Sequence, residues 1–170
     1  MKIPFRFRSG EPAALVLALL LAAGCRTVPR LPGTTSLDRP MLTTGYCSCG
    51  TCCGWRRNWF GRPVYSSGPN EGKRKAVGVT ASGAQAHPGT IAADTSRYPF
   101  GTIMYVDGYG YGTVEDTGAG IKGEHIDLYF RSHEDAVRWG AQWKHVRVWL
   151  PQGGGSKLKS EVSDSLRGKS

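Results

Sequence analysis

The stretch at residues 90–130 constrains the fold most, because its apolar runs are too short for ordinary helices and glycines separate them. The run TIMYV at 102–106 has strand composition, and Asp107-Gly108 after it marks a hairpin turn. The run HIDLYF at 125–130 alternates apolar and polar side chains, as a half-buried strand does. Many short strands with frequent glycine predict a small, mainly β barrel.

One helix is predicted within this β pattern. Ser132 is a suitable N-cap, and Asp135 three residues later comes close to a capping box. An apolar stripe at helical spacing follows, formed by Ala136, Trp139, Gly140 and Trp143. We therefore expect a single packed helix at about 132–143. Further strands are expected at 41–46, 76–81, 90–93 and 146–150.

Three aspartates lie in or beside the apolar runs of 90–130: Asp94, Asp116 and Asp127. A single aspartate in such a place is usually a turn or cap residue. Three of them indicate a polar site on a compact β scaffold. Alternation presents Asp127 outward beside Tyr129, whereas we assign His125 to the core side with a structural role.

The beginning of the chain has the pattern of an export signal. Residues 1–24 combine basic residues, an apolar run of eleven residues at 13–23 and small residues before Cys25. Eleven apolar residues are too few for a spanning helix, which needs about 20. The tetrapeptide AAGC resembles a bacterial lipobox, which predicts a lipoprotein signal peptide and lipid on Cys25. The alternative is an ordinary secreted protein.

The composition of the two ends of the chain determines the predicted domain organisation. Residues 25–40 are rich in Pro, Thr and Arg and are expected to form a flexible tether. The folded domain is expected at 41–150, followed by a disordered tail at 151–170. Arg26 stands after Cys25 where an aspartate would indicate retention at the inner membrane, so we expect an anchor on the periplasmic face of the outer membrane.

The charge of the chain limits its partners. The formal net charge is +9, and the signal contributes three basic residues against one acidic residue, which leaves +7 on the mature chain. A basic exported protein can meet anionic lipid or an anionic wall polymer, and export disfavours nucleic acid. We expect a monomer.

Four cysteines follow the first predicted strand: Cys47, Cys49, Cys52 and Cys53. An even number in an exported chain favours disulfides, here two. A metal site is the alternative, but a structural zinc site normally takes a second ligand pair from elsewhere in the chain. Free or partly paired thiols are the third possibility.

Six motifs occur in order and at matching spacing. They are GYC with CCG at 45–54, GVTASG at 78–83, PGTIAAD at 88–94, PFGT at 99–102, VEDTGAGIKG at 114–123 and HIDLYF at 125–130. This set resembles the three-aspartate or 3D domain, a pattern similar to the catalytic part of membrane-bound lytic transglycosylase A and to related cell-wall enzymes. The segment at 56–75 looks longer than is usual in that family. The chain also has Ala119-Gly120 where Gly-Gly or Gly-Ala is commoner.

The resemblance implies a double-psi β-barrel that binds peptidoglycan glycan strands and needs no cofactor. The implied activity is lytic cleavage of the MurNAc–GlcNAc β-1,4 linkage without water, which leaves a 1,6-anhydroMurNAc end. The family's catalytic acid and base corresponds to Asp127, and its supporting aspartates correspond to Asp116 and Asp94. Such an acid needs a raised pKa, which burial or a neighbouring carboxylate supplies.

Candidate substrate-binding residues surround these aspartates: Tyr46, Thr80, Ser82, Gly118, Gly120, Lys122 and Tyr129. For the glycine loop, an ordinary tight turn is an equal alternative. Lys122 either meets a muramyl-peptide carboxylate or is solvated, and Thr80 and Ser82 either line the groove or bond within a turn.

Two other functions stay open. A β-glycan hydrolase on the same barrel needs a second carboxylate, for which Asp94, Asp116 and Glu115 are candidates. A non-catalytic module that binds cell-wall polysaccharide needs none.

Overall fold

The computed structural model describes residues 36–151. The predicted signal peptide, the lipidation candidate Cys25, most of the tether and the predicted tail lie outside the described residues. Within 36–151, no helix is long and apolar enough to cross a membrane.

Short strands dominate the described part of the chain. In chain order the elements are β1 Leu37–Tyr46, α1 Gly50–Cys53, β2 Trp55–Arg57, β3 Pro63–Tyr65, β4 Thr90–Ala92, β5 Ile103–Val106, β6 Gly110–Asp116, β7 His125–Tyr129, α2 His133–Trp139 and β8 Gln142–Trp149.

Six of the strands close into a barrel in the order β1-β7-β4-β6-β5-β8, and β2 and β3 form a separate two-stranded sheet. The pairs β1–β7 and β4–β6 are parallel, and the other pairs are antiparallel. Closure leaves none of these six strands with an unpaired edge. The barrel confirms the predicted fold class, a small double-psi β-barrel with a packed helix.

The barrel interior is filled by alternate residues of its strands. Ile126 and Leu128 of β7 and Val146 and Val148 of β8 are each 0% exposed, as is Met104 of β5. This confirms the predicted core-facing side of β7. Because core positions alternate with outward positions, every residue between them, including Asp127, is directed away from this core.

The helix α2 is shorter than the sequence predicts. Ser132 is its N-cap and accepts the backbone N–H of Asp135 at 3.0 Å, as expected. Gly140, at φ +66°, ends the helix. Trp143 therefore lies in β8 and is 68% exposed, so its assignment to the helical stripe was wrong. Trp139 does pack inward, against Phe130 at 5.9 Å between ring centroids.

Two other segments differ from expectation. Residues 76–81 form turns rather than a strand, with one isolated bridge between Val79 and Gln85. Gly78 has φ +77°, a conformation that interrupts a strand. The first strand begins at Leu37, inside the predicted tether, because its first residues pair with β8 and close the barrel.

Packing of α2 on β1 depends on Gly45. A Cβ added there would lie 2.7 Å from the carbonyl oxygen of Ala136 and 3.1 Å from Phe130. We expect Gly45→Ala to lower the free energy of unfolding by about 1–3 kcal/mol, because the helix must shift. Denaturant titration measures this. Gly120→Ala is the control, since an added Cβ meets nothing within 4 Å there; equal midpoints for the two variants would contradict the packing argument.

Candidate functional site

A groove of about 480 Å³ opens on one side of the barrel. The barrel strands supply Tyr46, Ala92, Asp116 and Asp127 to it. The loop after β6 supplies Thr117, Gly118, Ala119 and Ile121, and the segment between β1 and β4 supplies residues that include Ser48, Cys52, Cys53, Tyr65, Ser67 and Lys75. The groove therefore brings together parts of the chain that are far apart in sequence.

Strand register places two of the three aspartates in this groove. Ala92 of β4 pairs with Asp127 of β7 on one side and with Asp116 of β6 on the other. Neighbouring strands are about 4.8 Å apart, so the two aspartate backbones stand roughly 10 Å apart across β4. Only a methyl group lies between them, which leaves room for both carboxylates to reach the same space.

Asp127 is held by a chain of polar contacts from β1. Thr44 pairs with Asp127 in the parallel register, and its hydroxyl donates to Oδ1 of Asp127 at 2.8 Å. Nε2 of His125 lies 3.1 Å from the same hydroxyl oxygen. Because the hydroxyl has a single hydrogen, the imidazole Nε2–H is the donor in this second contact.

The environment of Asp127 favours its protonated form. Burial raises the pKa of this carboxyl, and the negative charge of Asp116 raises it further. The hydrogen bond from Thr44 and the nearby His125 oppose the shift without cancelling it. A carboxylic acid with a raised pKa in a groove is the group that general acid catalysis needs.

Asp116 has a different environment from Asp127. Its Oδ1 accepts the backbone N–H groups of Ala81 and Thr117, both at 2.9 Å. Its Oδ2 accepts the hydroxyl of Tyr46 at 3.0 Å. Burial, together with Asp116, raises the pKa of Tyr46, so the phenol stays a neutral donor. Three donors thus fix the orientation of Asp116.

Asp94 is not among the residues that line the groove. Its Oδ1 accepts the backbone N–H of Ser96 at 3.1 Å and the Ser96 hydroxyl at 2.7 Å, and its Oδ2 accepts the N–H of Gly123 at 3.0 Å. The bond from Gly123 is the main reason that the pKa of Asp94 is lowered. The carboxylate ties the turn after β4 to the loop before β7. The structure therefore does not bring Asp94 together with the other two aspartates.

Among the predicted substrate-binding residues, Tyr46 and Gly118 line the groove. The others do not: Thr80, Ser82, Gly120, Lys122 and Tyr129. The hydroxyl of Thr80 contacts that of Ser82 at 3.0 Å and accepts the N–H of Ala84 at 3.1 Å, so the turn alternative holds for this pair.

Tyr129 is buried behind the groove wall and is not exposed beside Asp127. Its ring packs edge-on against Tyr46 with 5.4 Å between centroids. Its hydroxyl lies 3.0 Å from Oγ of Ser48. Tyr129 therefore supports Tyr46 and Ser48, which themselves reach the groove.

Several residues in or beside the groove were not predicted from the sequence. His125 lies two residues before Asp127 on the same strand and therefore shares its face. Its assignment to the core side was wrong. Strict alternation along the strand would have predicted the correct side. Lys75 lies in a basic run that resembles a solvated loop, yet its Nζ sits 4.4 Å from the centroid of the Tyr65 ring at the groove. No sequence signal marks Thr44, because its contact with Asp127 depends on the pairing of β1 with β7.

The expected disulfides are absent from the described residues, where all four cysteines are free. The Sγ atoms of Cys47 and Cys52 are 3.8 Å apart, well beyond a disulfide bond of about 2.05 Å. The Sγ of Cys53 points elsewhere and donates to the carbonyl of Cys47 at 3.1 Å. The prediction of two disulfides is therefore wrong for this structure.

The other three cysteines converge on a histidine from a distant segment. The Nδ1 of His133 lies 3.4 Å from Sγ of Cys52 and 3.6 Å from Sγ of Cys49. The ligand atoms of Cys47, Cys49, Cys52 and His133 all lie within 4.8 Å of one another. Among the described residues, this is the group able to hold a metal ion. No local sequence pattern predicts this cluster, because its fourth member follows 81 residues after Cys52.

Replacement of Asp116 and replacement of Thr44 should shift the pKa of Asp127 in opposite directions. Asp116→Asn removes a negative charge, so the pKa of Asp127 should fall. Thr44→Val removes a hydrogen bond to the ionised form at nearly constant shape, so that pKa should rise. Titration of the Asp127 carboxyl by carbon NMR measures both shifts. Shifts of the same sign would show that the contacts have been assigned wrongly.

Comparisons with known proteins agree with this description. Residues 89–152 match the family model of the 3D domain. The cell wall-binding protein YocH of Bacillus subtilis is 41% identical over 75 residues, which are 42% of this chain and 26% of YocH. The putative cell wall shaping protein YabE of Bacillus subtilis is 40% identical over 58 residues, 34% of this chain and 14% of YabE. The chain thus spans about a quarter or less of these relatives.

Among solved structures, the chain matches Escherichia coli MltA with bound chitohexaose at 23% identity and a TM-score of 0.37, over 46% of this chain and 30% of that one. Another MltA structure, described as a unique lytic transglycosylase fold, gives 25% identity and a TM-score of 0.36 over 42% and 28%. The family match contains β4 to β8, α2 and all three aspartates. Residues 89–152 of this chain are thus similar to the 3D domain.

Proposed function

We propose that this protein is a peptidoglycan lytic transglycosylase in which Asp127 acts first as acid and then as base. The observation that carries the proposal is a single carboxyl group with a raised pKa in the groove, beside a second carboxylate that three donors hold in place. The 3D domain supports an activity on cell-wall glycan.

The first step is protonation of the glycosidic oxygen. Asp127 donates its proton to the oxygen that leaves C1 of MurNAc, and the C1–O bond breaks through an oxocarbenium-like state. Burial keeps Asp127 protonated to a higher pH than an exposed aspartate, so the proton is available. The hydroxyl of Thr44 then stabilises the carboxylate that this step produces.

The second step needs no water. The Asp127 carboxylate takes the proton of the muramyl 6-hydroxyl as that oxygen bonds to C1. The product is a 1,6-anhydroMurNAc end, and Asp127 is protonated again. One carboxyl group thus completes the cycle, in contrast to the pair that a hydrolase uses.

The arrangement of the other carboxylates supports this route over hydrolysis. Asp116 is oriented by three donors, which disfavours a role as the base that activates water. Glu115 accepts the hydroxyl of Thr90 at 2.7 Å and is not among the groove residues. Asp94 caps a turn. No described carboxylate besides Asp116 joins Asp127 in the groove.

The groove also contains suitable glycan contacts. Tyr46 and Tyr65 present aromatic surface, and Lys75 supplies a positive charge that suits the carboxylate of a muramyl group or its peptide. Residues of the segment at 56–75 thereby form part of one wall of the binding site. We further propose export, lipid attachment at Cys25 and action as a monomer next to the wall.

A second function deserves the same test. The relatives are named for cell wall binding and cell wall shaping, which favours a module that holds wall polysaccharide without cleaving it. Digestion of purified peptidoglycan followed by mass spectrometry separates the possibilities. Anhydro ends support the transglycosylase, reducing ends support a hydrolase, and sedimentation with the wall without products supports the binding module.

Asp127→Asn should lower the rate of anhydro-product release by roughly 100-fold or more, because the amide has no proton to donate. Asp94→Asn is the matched control, since it also neutralises an aspartate of the 3D set but lies outside the groove. We expect it to keep the rate and to lose on the order of 0.5–1 kcal/mol of stability with the bond from Gly123. A retained rate in Asp127→Asn would show that another group is the acid.

Cleavage should decline as pH rises through the pKa of Asp127, because only the protonated carboxyl starts the reaction. Asp116→Asn lowers that pKa and should move the decline toward lower pH. Initial rates across a pH series, taken with Asp94→Asn alongside, measure the displacement. If the rate of Asp116→Asn declines at the same pH as that of the unchanged protein, the activity does not depend on the ionisation of Asp127.

A further inference from the structure

We propose that Cys47, Cys49, Cys52 and His133 bind one zinc ion in a closed structural site beside the groove. The four residues come from three places in the fold. Cys47 follows β1, Cys49 is the N-cap of α1, Cys52 lies within α1, and His133 is the first residue of α2. The inference does not depend on the proposed cleavage reaction.

Three distances between the ligand atoms match those of a zinc tetrahedron. With Zn–S bonds of about 2.3 Å and Zn–N bonds of about 2.05 Å, tetrahedral angles give S···S distances of about 3.8 Å and S···N distances of about 3.5 Å. The distance between the Sγ atoms of Cys47 and Cys52 is 3.8 Å. The distances from Nδ1 of His133 to Sγ of Cys52 and Cys49 are 3.4 and 3.6 Å.

The type of ligand selects the metal. Three thiolates and one imidazole form a Cys₃His set, which is typical of structural zinc. Calcium and magnesium prefer oxygen ligands, and zinc accepts sulfur and nitrogen without a change of oxidation state. All four positions are filled by protein, so no site remains open for substrate, and the ion is structural rather than catalytic.

The fourth cysteine of the motif serves as an internal control. Cys53 neighbours Cys52 in sequence, but its thiol donates to the carbonyl of Cys47 and lines the groove. It does not belong to the cluster. A site of three cysteines with a histidine from α2 also removes the strain that four ligands within seven residues would impose.

The ion would stabilise one wall of the groove. The helix α1 has four residues, too few to be stable alone; it contains the ligand Cys52, and the ligand Cys49 is its N-cap. Between the ligands, Ser48 reaches the groove, contacts the hydroxyl of Tyr129 at 3.0 Å and accepts the indole N–H of Trp55 at its carbonyl at 2.9 Å. Zinc would thus join α2 to the turn that supports Tyr129 and the β2–β3 hairpin.

Metal analysis tests the proposal directly. The full chain is purified in detergent with a reductant that binds zinc weakly, and zinc is measured by inductively coupled plasma mass spectrometry. We expect one zinc ion per chain. Replacement by cobalt should give the strong visible absorption of a tetrahedral ion and the near-ultraviolet bands of thiolate ligands. Removal of the ion by a chelator should lower the unfolding temperature.

Matched variants assign the ligands. Cys49→Ser should lose the ion, whereas Cys53→Ser should keep it. His133→Ala removes an exposed side chain and should leave the barrel folded, as circular dichroism can verify. We expect this variant to hold metal at least about tenfold more weakly and to change the cobalt spectrum, because water replaces nitrogen. His145→Ala, at an exposed histidine of β8, should change neither.

Three results would overturn the proposal. One is a reduced, folded chain that binds no stoichiometric zinc. Another is equal affinity and an unchanged cobalt spectrum in His133→Ala. The third is an intact mass, for chain isolated without reductant, that is lower by two hydrogens for each disulfide among these cysteines, with no metal present.

Discussion

The site depends on the pairing of β1 with two strands at once. This strand of ten residues runs parallel to β7 and antiparallel to β8, and so closes the barrel. The same pairing places the hydroxyl of Thr44 on Asp127 and the phenol of Tyr46 on Asp116. Beyond its last residue the chain enters the cysteine cluster. Barrel closure, the orientation of both carboxylates and the position of the candidate zinc ligands therefore share one structural cause.

The two carboxylates of the groove differ in their hydrogen bonds and in the effect of burial. Asp116 receives three donors, which fix its orientation. Asp127 accepts a hydrogen bond from the hydroxyl of Thr44, and burial dominates its pKa. A raised pKa in the folded state means that ionised Asp127 costs stability at neutral pH, and this cost disappears as pH falls through that pKa. The folded state is thus less stable at neutral pH because it holds the Asp127 carboxyl in a buried position in the groove.

Much of the barrel could be predicted because strand signals are local. The hairpin at Asp107-Gly108, the core side of β7 and the N-cap Ser132 all follow from turn residues, alternation and capping. The predictions were wrong where tertiary contacts decide. Gly140 ends α2 and leaves Trp143 to β8, and residues 76–81 border the groove as turns in spite of their strand composition.

The sequence by itself determined the β class of the fold, its core pattern and the three aspartates of the 3D domain, since short-range periodicity and ordered motifs encode them. Tertiary structure alone decided that Asp127 and Asp116 share a groove while Asp94 ties a turn, because strand register across β4 sets those distances. It also decided that His133 meets the cysteines. A contact across 81 residues of chain depends on how α2 packs against the barrel, and no local pattern records that packing.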